Sequence, residues 1–408
     1  MSFFSSRWIE APENVIELEP TMLPLGFRAG GVAAGIKPQG LDVGVLVSER
    51  LATVSAARFT TNARVGAPVT VSREADLSRL RAVVANSGGS NTGDGQRGLD
   101  TARATQALAA ELLQVEAAQV GVASTGVIGT SLPRAPLLAG VRSAAQRLGG
   151  DADAFSRAIL TSDRGPKRAC LEVELPGGRV RLSAQAKGAG MISPRFATMF
   201  CFVQTDAALS AQTVDLLTGV TVMRSFDRIS VDGQLSTSDT VFVLANGASG
   251  VQVDPETTDE LRLGEAMDAL LRALALEIVA DGEGAGRVGR VLVRGEPDLV
   301  EPVARAVANS PLVKSALHGG DPNFGRILQA AGMVYPADNG FAVDLEIEGR
   351  LVVSAGDAVV NDLDELAALV QRDEVQYTLT LPGEGGETEV FFSDLSPEYV
   401  RFNAEYMT

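Results

Sequence analysis

The sequence is poor in the residues that build metal centres and imidazole-based triads. Its 408 residues include one histidine, His318, and two cysteines, Cys170 and Cys201. Two cysteines give neither a disulfide framework nor a thiolate zinc site. A histidine-based metal site would lack partners, so no metal is expected. A Ser-His-Asp triad would have to recruit His318 from ALHGGDPNFGR, a Gly/Asp/Pro turn. Acyl-transfer chemistry here would therefore draw its base from something other than imidazole. Basic residues are scarce too: 35 Lys and Arg stand against 51 Asp and Glu, a net charge of −16. Such a chain is repelled by phosphate backbones and anionic lipid, which argues against nucleic acid and membrane partners. No apolar run approaches the roughly 20 residues that span a bilayer. The opening MSFFSSRWIEAPENVIELEP carries early acids and lacks a basic segment followed by an apolar one. The expectation is a reduced, cytoplasmic protein without a secretory signal.

What is present suits a large buried core, with 45% apolar and 21% charged residues. Apolar β-branched runs recur at 43–47, 82–85, 119–124, 199–204, 240–245, 288–293, 342–348 and 375–381. They read as strands, many of them covered on both faces. Helical patterns alternate with them at 101–116, 136–147, 261–279 and 363–371, the first with Asp100 or Thr101 placed as N-cap. The predicted class is mixed α/β with layered, covered sheets. Turn residues cluster at 247–257 and suggest a lobe boundary.

Four glycine-rich segments interrupt the strands: NSGGSNTGDG (86–95), STGVIG (124–129), KGAGMISPRFATMF (187–200) and DGEGAGR (281–287). None is a phosphate-binding loop of a known spacing. Taken singly, each is more often a tight connection than a site. The third is unusual because Thr198 opens the apolar strand MFCFVQ. A threonine there is most often a plain β-former. Its functional reading is a nucleophile, and a threonine hydroxyl needs an adjacent base. With one histidine, the economical base is the threonine's own α-amine, freed by cleaving the Ala197–Thr198 bond. An α-amine has a pKa of roughly 7.7–8.0, poised near working pH. Spacing alone does not choose between these readings.

These segments resemble the ornithine acetyltransferase family, the glutamate N-acetyltransferases of cyclic arginine biosynthesis. The likeness runs from LPLGFRAGGVAAGIK (23–37) through GVASTGVIG (121–129), KGAGMISPRFATMF, SVDGQLSTSDT (230–240), DGEGAGR and DPNFGRI (321–327) to VRFNAEYMT (400–408). It implies a layered αββα sandwich, shared with self-processing aminopeptidases, and a smaller C-terminal lobe. It also implies self-cleavage between Ala197 and Thr198 into an α chain 1–197 and a β chain 198–408, assembled as a heterotetramer. The implied reaction is ping-pong: N-acetylornithine gives its acetyl group to Thr198, and glutamate takes it. The oxyanion would be held by Thr125 and Gly126. Substrate contacts would come from Thr161 (or Ser162 beside it), Lys187, Glu283, Asn403 and Thr408. No cofactor is implied; some relatives also take acetyl-CoA as donor, and no residue decides this here. A self-processing amidohydrolase or aminopeptidase, an acetyltransferase outside arginine biosynthesis, and an uncleaved amino-acid-binding relative remain alternatives. The family usually has NSGNANACTG, EGATK and GEDPNWGR where this chain has NSGGSNTGDG, EGAGR and GGDPNFGR. Each departure is expected to lie near the site and to bear on substrate preference.

Overall fold

The computed structural model describes residues 2–193, 199–337, 340–359 and 362–405. Every strand expected from the apolar runs is present, and five of the eight are buried along their whole length. The central sheet has six strands, in the order Val15–Glu17, Lys167–Leu175, Gly178–Lys187 (β1), Phe200–Thr205 (β2), Thr240–Ala245 (β3) and Val54–Phe59. A four-stranded sheet of Phe27–Val32, Val43–Ser48, Ala82–Asn86 and Val120–Ser124 packs on it.

Side-chain alternation assigns each layer, since successive residues of a strand point to opposite faces. Phe200, Phe202, Phe242 and Leu244 from the central sheet meet Phe27, Leu46, Val83 and Ala85 from the smaller one in a single cluster. The alternate residues Cys201, Val203, Val241 and Val243 face Leu263, Leu270 and Leu274 of the helix Thr258–Ala280. Val43, Val45 and Val84 face Leu108, Leu137 and Val141 of the helices Gly95–Leu113 and Arg134–Ala145. The order is therefore helix, sheet, sheet, helix, the αββα layering implied by the family resemblance. Full burial on both sides explains why these strands read as unbroken apolar runs rather than alternating ones.

A seven-stranded sheet forms the C-terminal part, with Val288–Gly295 near its middle and its own core of Val291, Val303, Leu345, Tyr377 and Phe392. Residues 247–257 lead from β3 to the helix Thr258–Ala280, and Val253 sits in the same cluster as Val243 and Leu263. Both cysteines are buried and unpaired.

One helix start differs from expectation. The helix placed at 101–116 runs from Gly95 to Leu113, so neither Asp100 nor Thr101 is its N-cap. The Thr101 hydroxyl instead donates to the Arg97 carbonyl one turn earlier. Gly95 and Gly98 weaken this first turn locally. Packing favours Gly98, because a Cβ there would come within 2.8 Å of Asn91 Oδ1.

Candidate active site

The strands Ala82–Asn86 and Val120–Ser124 are parallel neighbours, so the loops that follow them leave the sheet side by side. The Ser124 hydroxyl donates to Asn86 Oδ1 at 2.6 Å and ties the two strand ends together. Gly126, in the second loop, has φ +121°, and a Cβ there would meet the Gly88–Gly89 backbone at 2.7 Å. Only glycine fits that approach. The Thr125 N–H is spent on the Asn86 carbonyl at 3.0 Å. The Thr125 hydroxyl and Gly126 N–H make no hydrogen bond among the described residues. Both residues line a cavity of about 220 Å³.

The opposite wall comes from the central sheet and the loop at 161–163. Lys187, the last residue of β1, pairs in register with Phe200, the first of β2. Its ammonium donates to the Thr161 hydroxyl at 3.2 Å and is only 2% exposed as a residue. Burial pushes the Lys187 pKa down, opposed by the charges of Asp163, Asp239 and Glu283. Asp163, behind it, accepts from Lys167 Nζ at 2.8 Å and from Gly188 N–H at 2.7 Å. Burial alone would raise that carboxyl, but Lys167 and Lys187 together hold it down at about 2.

Glu283 closes one end. Its Oε1 accepts from the Ser162 hydroxyl at 2.6 Å and its Oε2 from the Asn403 amide at 2.9 Å. A Cβ on Gly190 would lie 2.7 Å from this carboxylate, so glycine lets the loop pass close by. Asn403 and Tyr399, one turn apart on the helix Pro397–Glu405, both line the cavity. The Tyr399 hydroxyl donates to Asp232 Oδ2 at 3.3 Å. The C-terminal helix therefore packs against the cavity through Tyr399 and Asn403.

The cavity thus gathers Thr125, Gly126, Thr161, Lys187, Glu283 and Asn403 from five stretches of chain. Thr161 and Ser162 both reach it, with different partners: Thr161 meets Lys187, and Ser162 meets Glu283. Ala197, Thr198 and Thr408 lie outside the described residues. Sequence reasoning missed Lys37, Asp232, Tyr399 and the hydroxyl run Ser236–Thr237–Ser238, which also line the cavity. The matching segments LPLGFRAGGVAAGIK and SVDGQLSTSDT contain all of these but Tyr399, without singling any of them out.

The departing segments are less central than expected. Gly88 and Ser90 reach the cavity, but neither Arg287 nor any residue of GGDPNFGR does. Arg287 donates instead to the carbonyls of Leu317 and Val370, at the ends of two helices of the C-terminal part. His318 pairs with Asp394 at 2.7 Å, also away from the cavity. Among the described residues, no group of three or more His, Cys, Asp or Glu is placed to hold a metal ion. Nor is any helix there long and apolar enough to cross a membrane.

Comparison with known sequences gives the lineage. The ArgJ family pattern matches residues 28–408. The chain belongs to the ArgJ family. The arginine biosynthesis bifunctional protein ArgJ of Rhodopirellula baltica is 40% identical over 411 residues, covering 98% of this chain and 99% of that one. Its counterpart from Nitratidesulfovibrio vulgaris is 42% identical over 391 residues, covering 94% and 98%. A solved ornithine acetyltransferase from Mycobacterium tuberculosis, complexed with ornithine, is 35% identical. That match covers 44% of this chain and 98% of that one, with a TM-score of 0.41. As an ArgJ family member the chain is an acyltransferase enzyme of arginine biosynthesis.

Proposed function

We propose that this protein moves an acetyl group from N-acetylornithine to glutamate through an acyl-enzyme on Thr198. The threonine becomes an N-terminus by self-cleavage of the Ala197–Thr198 bond. One observation carries the reading: residues scattered from 125 to 403 converge on one cavity with the chemistry both half-reactions need. Lys187 and Lys37 supply positive charge for the carboxylates of the two amino acids. Glu283 and Asp232 supply negative charge for their amines.

In the first half-reaction the Thr198 hydroxyl attacks the acetyl carbonyl of N-acetylornithine, and its α-amine takes the proton. The tetrahedral oxyanion needs donors, and the Thr125 hydroxyl and Gly126 N–H are unspent among the described residues. Collapse expels ornithine, with the proton returned to the leaving nitrogen. The glutamate amine then attacks the ester, and the same steps run in reverse. Self-cleavage uses the same nucleophile once, on its own preceding carbonyl, followed by hydrolysis of the resulting ester. The two chains would remain together after cleavage, since the strands on either side of the cut, β1 and β2, pair from Leu182 to Lys187, and two such pairs would make the heterotetramer.

N-terminal sequencing and a denaturing gel test this directly. Processing should give fragments of 197 and 211 residues, the second beginning at Thr198. Thr198→Ala should stay a single chain and release no ornithine. An uncut wild-type chain that turns over, or turnover by the variant, would refute the assignment. Ornithine release measured with and without glutamate separates transfer from hydrolysis.

A further inference from the structure

Lys37 lines the cavity on the same side as Thr125 and Gly126, and a single buried carboxylate puts it there. Asp42 is wholly buried, and its two oxygens accept the N–H groups of Ala34 at 2.6 Å, Ile36 at 2.7 Å and Lys37 at 3.0 Å. The Asp42 carbonyl accepts the Ser87 N–H at 3.0 Å, which ties this loop to the one that follows the strand Ala82–Asn86. The Lys37 stem runs along Gly88, where a Cβ would lie 2.7 Å from its Cγ. Gly126 also lies against Gly88, since a Cβ on Gly126 would come within 2.7 Å of the Gly88 carbonyl carbon. Gly88 is therefore the common neighbour of the lysine and of the proposed oxyanion donors.

The Lys37 ammonium donates to the Leu160 carbonyl at 2.9 Å, a neutral acceptor. Both Asp42 oxygens are taken by backbone N–H groups, so Asp42 and Asp163 act on the ammonium only at a distance. A lysine has more donors than one carbonyl can use, and the remainder are available to a ligand in the cavity. The neighbouring residue holds the other lysine: the Thr161 hydroxyl accepts from Lys187, which lies within reach of the Glu283 charge. The two ammoniums are thus pinned separately, one beside the oxyanion donors and one toward Glu283.

N-acetylornithine and glutamate share a carboxylate on the carbon that bears the reacting nitrogen. They differ at the far end, an amine in one and a second carboxylate in the other. The shared carboxylate is one carbon from the reacting nitrogen, so its anchor must lie close to the oxyanion donors if the reacting carbonyl is to be held in place. We propose that Lys37 binds the α-carboxylate common to both substrates and so sets the reacting nitrogen against the Thr125–Gly126 pair. The inference rests on the function proposed above. Lys187 and Glu283 are left to the far end, where opposite charges suit two substrates of opposite charge.

The test uses analogues that lack only the α-carboxylate, N-acetylputrescine as donor and γ-aminobutyrate as acceptor. Lys37→Met keeps the stem and removes the charge, and Lys37→Gln is the second variant. Each should melt cooperatively. In both, kcat/KM for N-acetylornithine and for glutamate should fall about tenfold or more, as the loss of a charge-assisted contact implies. The same constant for the two analogues, or Ki where their turnover is too slow to follow, should stay within threefold of wild type. A fall confined to one of the two natural substrates would tie Lys37 to the far end and overturn the proposal. Equal losses with the analogues, no change with any substrate, or failure of both variants to fold would overturn it as well. Each of these results leaves the proposed function standing. If wild type releases no ornithine from N-acetylornithine, the proposed function falls, and this inference with it.

Discussion

Replacing Thr125 by valine separates catalysis from stability in one residue. Valine is nearly isosteric and exchanges the hydroxyl for a methyl group. The backbone at this position is held independently, because the Thr125 N–H bonds to the Asn86 carbonyl at 3.0 Å whatever the side chain. The hydroxyl has no partner among the described residues, and the residue is only 3% exposed. Its removal therefore costs no internal hydrogen bond, and the melting temperature should hold or rise slightly. In the proposed mechanism the same hydroxyl faces a developing oxyanion in the transition state. Losing one such donor typically costs about 2.7–4 kcal/mol, or 10²–10³ in kcat. Steady-state ornithine release should show that fall in kcat with KM within a few-fold, because the ground-state carbonyl gains little from the contact. Thr125→Ser restores a hydroxyl and should recover most of the rate. The reasoning is refuted if the valine protein retains kcat within threefold of wild type. It is equally refuted if its melting temperature drops with its activity, which would make the hydroxyl structural.

Two further outcomes follow from the site and its surroundings. Asp163 has a folded pKa of about 2, below its unfolded value of roughly 3.9, so its contribution is full above the unfolded value and fades as pH falls toward 2. Chemical denaturation of wild type and Asp163→Asn should give a stability gap of order 2 kcal/mol at pH 6 that narrows between about pH 4 and 2; a gap constant across that range would refute the pairing with Lys167 and Lys187. Arg287→Lys, which restores the residue usual in the family, should leave kcat and KM for N-acetylornithine within twofold and lower the melting temperature by a few degrees, because Arg287 caps helix ends away from the cavity; a shift in substrate preference would contradict that placement.

The layers were legible where burial is symmetrical. A strand covered on both faces must be apolar throughout, so runs such as 82–85 and 240–245 announce themselves. The strands Lys167–Leu175 and Gly178–Lys187 did not, because charged residues interrupt KRACLEVEL and GRVRLSAQAK. The helix Pro297–Ala308 was hidden by Pro302 within it, a residue that reads locally as a break. Residues 247–257 have the composition of a boundary, yet Val253 packs in the same core as the elements on either side.

Sequence alone determined the family and narrowed the chemistry expected of its centre. One histidine removes the usual base, and the family resemblance, rather than the spacing, singles out Thr198 as the expected nucleophile carrying its own amine. Among the cavity's residues it named Thr125, Gly126, Thr161 (or Ser162), Lys187, Glu283 and Asn403, through motifs in a matching order. Only the tertiary structure decided which polar atoms remain unspent. That the Thr125 N–H is taken by the Asn86 carbonyl while its hydroxyl faces the cavity follows from sheet pairing and loop packing that local sequence does not express. Electrostatics follows the same rule. Asp163 and Asp239 are the same residue type with opposite shifts, one held down by two lysines and the other pushed up by burial, because a carboxyl's charge depends on its neighbours and on water rather than on its place in the chain.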